Sequence, residues 1–258
     1  IEAEAAALKA FATDHATRSI QEGREACGGE GYRAENRFAA LKADSDIFTT
    51  FEGDNTVLLL QVAKSLLAGY KEEFTNLDFF GLLGKLRERV EVKIGDPNLL
   101  VRRKTSEAHL LDPALHASLF ESRERDLLIS AASRLKRRMD DGMDSFDAFI
   151  EVQDHLLTLA WAHAERLVLD RLQAAVAEAE PSREKDVLER VSALYALSHL
   201  ERDRGWFLEE HYIDAPKAKA IRAEVNTLLG LLRPDAVALV DAFAIPDELL
   251  AAPIALGM

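Results

Sequence analysis

From residue 113 to residue 204 the sequence holds one glycine, Gly142, and one internal proline, Pro181. A stretch that long with so few breakers favours helix over any other regular structure. Apolar residues recur in it at helical spacing. Leu127, Leu128, Ala131 and Leu135 share one face, and Leu156, Leu159, His163, Leu167 and Leu172 share another. Stripes of this kind are core faces rather than cofactor contacts. No segment of the chain sustains the apolar–polar alternation of a half-buried strand. The expected fold class is all-α, with helices long enough for an antiparallel bundle joined by short loops.

The rest of the chain follows the same pattern. A helix is predicted over residues 2–26, ended by Gly28-Gly29. Residues 28–51 read as a loop with a short helical turn at 38–42, and a further helix covers 55–73. In that helix Val57, Leu60, Ala63 and Leu67 form one apolar face, widened by Leu59, Val62 and Leu66, so burial on more than one side is expected. Residues 76–96 read as a connector with a short packed helix and a turn at Gly95-Asp96-Pro97. A domain boundary is expected near residue 80, dividing the chain into residues 1–80 and 81–258. Helices then follow over 98–110, 113–140, 145–179 (with Ser145 as N-cap), 182–204, 216–232 and 234–243, with an irregular stretch at 205–214.

Charge and cysteine usage narrow the function. The 258 residues carry 32 Lys and Arg against 45 Asp and Glu, a formal net charge of −13. That balance repels a nucleic-acid backbone. The single cysteine, Cys27, excludes an intrachain disulfide and fits a reducing compartment. No apolar run approaches the ~20 residues of a membrane span. The final residues, Ala255-Leu256-Gly257-Met258, do not form a Ser-Lys-Leu-type address, so a bacterial cytoplasm is the expected location. The chain opens on Ile1 inside a helical pattern, and is expected to be part of a longer protein.

One stretch carries chemistry: Thr49-Thr50-Phe51-Glu52-Gly53-Asp54-Asn55-Thr56, between Ile47-Phe48 and the apolar run from Val57. A carboxylate amid apolar residues is partly desolvated, which moves its pKa toward the range useful to a general base. Gly53, lacking a Cβ, lets a backbone or ligand approach. Equally, Asp54 or Asn55 reads as the cap of the helix that begins near Thr56, and on these residues alone capping is the commoner use. Upstream lies a second stretch, Cys27-Gly28-Gly29-Glu30-Gly31-Tyr32. A glycine pair at a helix end answers the need for positive φ there, and it also opens the backbone to a ring or pyrophosphate.

Together the two stretches resemble the acyl-CoA oxidase family, flavoenzymes related to the acyl-CoA dehydrogenases. The likeness continues through Leu58-Leu59-Leu60-Gln61-Val62-Ala63 and returns in Leu232-Arg233-Pro234 and Leu239-Val240-Asp241-Ala242-Phe243. The resemblance implies that Glu52 is the catalytic base, removing the proton next to a fatty acyl-CoA thioester carbonyl. It places Gly53 beside the substrate, and Gly28 and Gly29 against FAD, often across a subunit boundary of a homodimer. Asp54 becomes a neighbour of the cofactor. Two positions depart from the dehydrogenase pattern: Glu25 stands where Gln is usual, and Asp54 where Thr is usual. The second departure points toward oxidases, which pass electrons to oxygen rather than to an electron-transfer flavoprotein. The family's N-terminal helical domain and middle β-domain, which hold most of the flavin, are not found in this sequence. The resemblance therefore implies the C-terminal helical domains of such an enzyme. A purely structural alternative is a helical dimerisation module without activity.

A di-iron bundle, the other common use of a long acidic helical chain, needs Glu-x-x-His on two helices. None of the seven histidines has Glu three residues earlier, so that reading is excluded. His155 and His163, two turns apart, are expected in the core or at its rim. The basic run Arg134-Leu135-Lys136-Arg137-Arg138 is expected to be a solvated helix end complementing the dipole.

Overall fold

The computed structural model describes residues 2–74, 103–250 and 252–257. Among the described residues there are helices and turns but no strand. The helices are α1 (Glu2–Ala26), α2 (Phe38–Phe48), α3 (Asn55–Phe74), α4 (Glu107–Leu110), α5 (Pro113–Asp140), α6 (Ser145–Glu151), α7 (Gln153–Glu178), α8 (Arg183–Arg202), α9 (Arg204–Glu209), α10 (Ala215–Leu232) and α11 (Ala236–Asp241). Short 3-10 turns stand at Gly28–Tyr32, Ala34–Asn36, Arg233–Asp235, Asp247–Leu249 and Pro253–Leu256.

Helix starts follow local chemistry. Asp112 accepts from the Ala114 N–H at 2.9 Å, and Pro113, which has no N–H to leave unpaired, opens α5. Ser182 accepts from the Lys185 N–H at 3.2 Å to start α8, and Asp214 from the Lys217 N–H at 3.0 Å to start α10. Three expectations change. The helix expected over 145–179 is two helices, because Val152 leaves helical geometry (φ −109°, ψ 11°) and buries its side chain. Its cap is Asp144, which accepts from the Phe146 N–H at 2.8 Å, and not Ser145. The loop expected over 28–51 is largely helical. Its α2 lies antiparallel on α1, tethered where the Lys42 ammonium donates to Thr17 Oγ1 at 2.7 Å and both groups bond to Asp46. The stretch 205–214 contains α9, whose Phe207 is buried and whose carbonyl accepts from the Tyr212 N–H at 2.9 Å.

Two cores organise the packing. The first joins Ala6, Ala7 and Ala10 of α1, Leu59, Val62 and Ala63 of α3, Leu127 and Ala131 of α5, and Leu156, Leu159 and Ala160 of α7. The N-terminal helices therefore share one core with the long bundle helices. The second joins Leu110, Leu119, Phe120, Leu169, Leu197, Leu200, Phe207 and Ile221, around α8 and α10. The expected boundary near residue 80, the connector over 76–96 and the first residues of the helix over 98–110 lie outside the described residues. No helix among the described residues is long and apolar enough to cross a membrane.

Candidate functional site

The stretch from Thr49 to Thr56 is a tight return between α2 and α3. Beyond α2 the Thr50 and Phe51 N–H groups both donate to Ile47 O, at 3.0 and 2.9 Å, and the Asn55 N–H closes the turn on Thr49 O at 2.9 Å. Inside it, Glu52 has φ 57° and Gly53 φ 103°. The left-handed region is uncommon for any residue but glycine, and a non-glycine residue held there costs about 1–3 kcal/mol. At Gly53 the positive φ calls for glycine, and a Cβ there would also press on the flexible tip of Leu58, 2.9 Å away at Cδ2.

Side chains from α1 hold the turn. Lys9 Nζ donates to the Gly53 carbonyl at 2.7 Å and to Asn55 Oδ1 at 2.9 Å. Asn55 Nδ2 donates to Thr13 Oγ1 at 2.9 Å. Lys9 and Thr13 are one helical turn apart, so one face of α1 grips both ends of the turn. Sequence reasoning did not pick out either residue; i,i+4 spacing alone is too common to be a signal. Asp54 Oδ1 accepts from the Thr56 N–H at 2.9 Å, so Asp54 does cap α3.

The Glu52 side chain is exposed, unlike the desolvated carboxylate expected from its neighbours. The reason is that those neighbours face outward with it. Ile47 and Phe48 are exposed, as are Phe51 (46%) and Val57 (62%), with Phe48 and Phe51 in an edge-to-face pair at 5.3 Å. An apolar rim surrounds the carboxylate without covering it.

The glycine stretch sits at the other end of α1. Lys9 and Ala26 are 17 residues apart on that helix, which at 1.5 Å per residue is about 25 Å. Within one chain the structure thus keeps the Glu52 turn and the glycine pair well apart. Gly28 has φ 56°, and a Cβ on either Gly28 or Gly29 would meet nothing within 4 Å. The space beside both is open. Gly31 differs: it is buried, and its Cβ would fall 1.9 Å from the Arg24 carbonyl oxygen. Arg24 lies over the Tyr32 ring, 4.8 Å from its centroid. Arg33 Nη1 donates to Glu30 Oε1 at 3.1 Å, and Gln21 donates to the carboxylate of Glu25. Open backbone beside Arg24 fits a phosphate-bearing group such as FAD, whereas Arg33 is already paired with Glu30 and Glu35. Glu25 and Glu30 oppose such a charge, but both are engaged by their own partners.

Elsewhere, a groove of about 910 Å³ between α1, α7 and α8 is lined by Trp161, Tyr195, His199 and Arg202, and one of about 620 Å³ by Pro113, His116, Val176 and Leu228. Neither is lined by a residue of the two motifs. Beside the first runs a charged layer. Arg123 Nη1 donates to Glu165 Oε2 at 2.8 Å and pairs with Asp203 at 3.0 Å, and Arg202 Nη2 donates to Glu165 Oε1 at 2.6 Å. His163 Nδ1 lies 2.9 Å from Glu124 Oε1, so it is a buried hydrogen-bond partner in the core.

Comparison with known proteins decides the family. The profile described as Acyl-CoA oxidase matches residues 112–256, and that described as Acyl-CoA oxidase, C-alpha1 domain, matches residues 1–67. The chain belongs to the acyl-CoA oxidase family. Acyl-coenzyme A oxidase 2, peroxisomal, of Arabidopsis thaliana is 39% identical over 256 residues, which cover 99% of this chain and 37% of the relative. The structure of acyl-CoA oxidase1 from Yarrowia lipolytica matches with a TM-score of 0.84 and 26% identity, over 98% of this chain and 36% of that one. Acyl-CoA oxidase-2 of Caenorhabditis elegans, solved with FAD, ascaroside-CoA and ATP, matches with a TM-score of 0.78 over 97% of this chain and 36% of that one. At its 23% identity the likeness is one of fold. The chain thus spans little more than a third of the length of these relatives. Plant and human relatives are named as peroxisomal proteins, which overturns the expectation of a bacterial cytoplasm. That expectation rested on the lack of a Ser-Lys-Leu-type address in the final residues, and such a lack assigns no compartment.

Proposed function

We propose that this chain is the C-terminal helical part of an enzyme that oxidises fatty acyl-CoA to the trans-2-enoyl-CoA and reduces oxygen to hydrogen peroxide. Glu52 takes the proton from the carbon next to the thioester carbonyl. Bound FAD would supply the acceptor for the hydride leaving the adjacent carbon and pass the electron pair to oxygen. The observation that carries the reading is the backbone of Glu52. Strained residues gather where a side chain must be aimed, and here two residues of α1, Lys9 and Thr13, brace the strained turn. Gly53, next in the turn, stands beside the thioester. The exposed rim of Ile47, Phe48, Phe51 and Val57 is the half of a pocket that the remainder of the enzyme closes, removing water and raising the carboxylate's basicity when substrate fills it.

Gly28 and Gly29 would hold FAD. Because about 25 Å of α1 separates them from Glu52, one chain's pair serves the site of the other chain in a homodimer, and Asp54 stands nearer the flavin of its own. Light scattering of the full-length enzyme should give the mass of a dimer; a monomer at high concentration contradicts this arrangement. The test of the base is Glu52→Gln in the full-length enzyme. It keeps shape and acyl-CoA affinity but removes the proton acceptor. Anaerobic stopped-flow bleaching of the flavin by substrate should slow about 10²–10⁴-fold. Bleaching at the wild-type rate would leave Glu52 as a mere helix entry.

A further inference from the structure

One buried side chain ties the glycine stretch to the Pro253–Leu256 turn. Asn36 is 97% buried, at 3% exposure, although asparagine is mostly a surface residue. Its amide is fully used. Nδ2 donates to the Glu30 carbonyl at 2.9 Å and to Glu30 Oε2 at 3.0 Å, and Oδ1 accepts from the Ile254 N–H at 3.1 Å. Glu30 is the middle residue of the Gly28–Tyr32 turn, and Ile254 belongs to the Pro253–Leu256 turn, 218 residues away in sequence from Asn36. The Ile254 N–H is one that its own short turn does not use, since the first amides of a helical turn lack an internal partner. One buried side chain therefore joins two segments that are otherwise remote.

We propose that Asn36 is a positioning residue for the cofactor: it clasps the C-terminal turn onto the glycine turn, and this clasp holds Gly28 and Gly29 in the shape that retains FAD. The inference rests on the reading that this glycine pair holds the flavin. Glu30 is held by two residues: the Asn36 amide meets its carbonyl and carboxylate, and Arg33 meets them with its N–H and guanidinium. Losing the amide leaves the part-buried Glu30 carbonyl with the Arg33 N–H alone, at 3.2 Å, and takes the tether to the C-terminal turn from Glu30, so the short turn changes shape. A Cβ on Gly28 or Gly29 would meet nothing within 4 Å.

The test uses the full-length enzyme and reads flavin dissociation by fluorescence, beside acyl-CoA KM and melting temperature. Asn36→Asp sets a carboxylate against Glu30, and Ile254→Pro removes the N–H that Asn36 accepts. Each should raise the flavin dissociation constant about tenfold, the usual scale for one unmet buried hydrogen bond. The two together should do little more than either alone, with KM and melting temperature near wild type. Adding Glu30→Gln to Asn36→Asp supplies an amide donor to the new carboxylate and should restore binding. Gly29→Leu, which fills the open space, is the control for the underlying reading. If Gly29→Leu releases flavin while the Asn36 and Ile254 variants retain it, the clasp has no role and the proposal falls alone. If Gly29→Leu also retains flavin, the glycine pair does not hold the cofactor and both fall. Equal losses in KM, melting temperature and flavin affinity would mark Asn36 as merely structural and overturn the proposal.

Discussion

Gly29 and Gly31 stand two residues apart and answer different demands. A Cβ at 31 collides with the Arg24 carbonyl, whereas a Cβ at 29 meets only open space. Gly31→Ala should therefore destabilise the chain by about 1–3 kcal/mol, the range for forcing atoms into a packed site. Gly29→Ala should stay within about 0.5 kcal/mol of wild type. Thermal unfolding of the pair checks this, and equal melting temperatures would refute the packing assignment. The sequence pointed to the glycine pair at 28 and 29 because of its wording. It could not show that Gly31 is the steric necessity, since that depends on where the last turn of α1 returns against the loop. The same holds for Glu52. Its motif was legible, but its exposure depends on which way Phe48, Phe51 and Val57 point, and the local pattern leaves that open.

At the level of elements, Asp54 shows two uses laid on one residue. It caps α3 through the Thr56 N–H, and in the proposed enzyme it also stands near the flavin. The two separate by substitution. Asp54→Asn keeps a capping oxygen, so stability should hold while any charge effect on the flavin appears in its spectrum or potential. Asp54→Ala should cost about 0.5–2 kcal/mol from the lost cap. Denaturant midpoints measure it; an unchanged midpoint for Asp54→Ala would show that α3 starts without this cap. Helix starts near Pro113, Ser182 and Pro216 were largely readable because proline and serine signals are local, whereas the cap expected at Ser145 is Asp144. The break at Val152 was not. Nothing in Glu151-Val152-Gln153 stops a helix, and it is the first core, which takes in the Val152 side chain, that accompanies the break. The α2 helix was underestimated for a related reason. Its lower half is fastened by Thr17 and Lys42 to Asp46, whose carboxyl the hydrogen bonds from Lys42 and Thr17 hold below the ordinary value. Only Lys42 and Asp46 are visible as a local i,i+4 pair. The apolar stripes of α5 and α7 were plain from periodicity, but the charged layer of Arg123, Glu165 and Arg202 was hidden. Its members lie about 40 residues apart in sequence and meet only after the bundle has formed.

For the whole molecule, buried titrating groups mostly pull stability in one direction with pH. Burial lowers the pKa of His116 and His199, and burial together with the nearby Arg134 lowers that of His155. A histidine held below its ordinary value binds fewer protons folded than unfolded. Its contribution is full above about pH 6.5 and is lost as pH falls toward the folded value. Glu124 adds to this at lower pH. Burial pushes its carboxyl up, but hydrogen bonds from His163 and Arg166 more than offset that and hold it below the ordinary range. Its stabilisation is present above the unfolded carboxylate value and is lost as pH falls through the folded one. Glu224, which burial and Glu107 push upward, runs the other way as a single group near the surface. Lys217, lowered by burial to about 8, extends the same trend upward, because between that value and its ordinary 10.5 the folded chain again binds fewer protons. The melting temperature should therefore fall in two stages on acidification, first below about pH 6.5 as the histidines charge, then in the carboxylate range as Glu124 protonates. His199→Phe and His116→Phe should each flatten the first stage and leave the second. Calorimetry between pH 8 and pH 4 reads both stages. A melting temperature that stays level down to pH 5 would mean that the buried histidines charge without cost, and that the second core admits water around them.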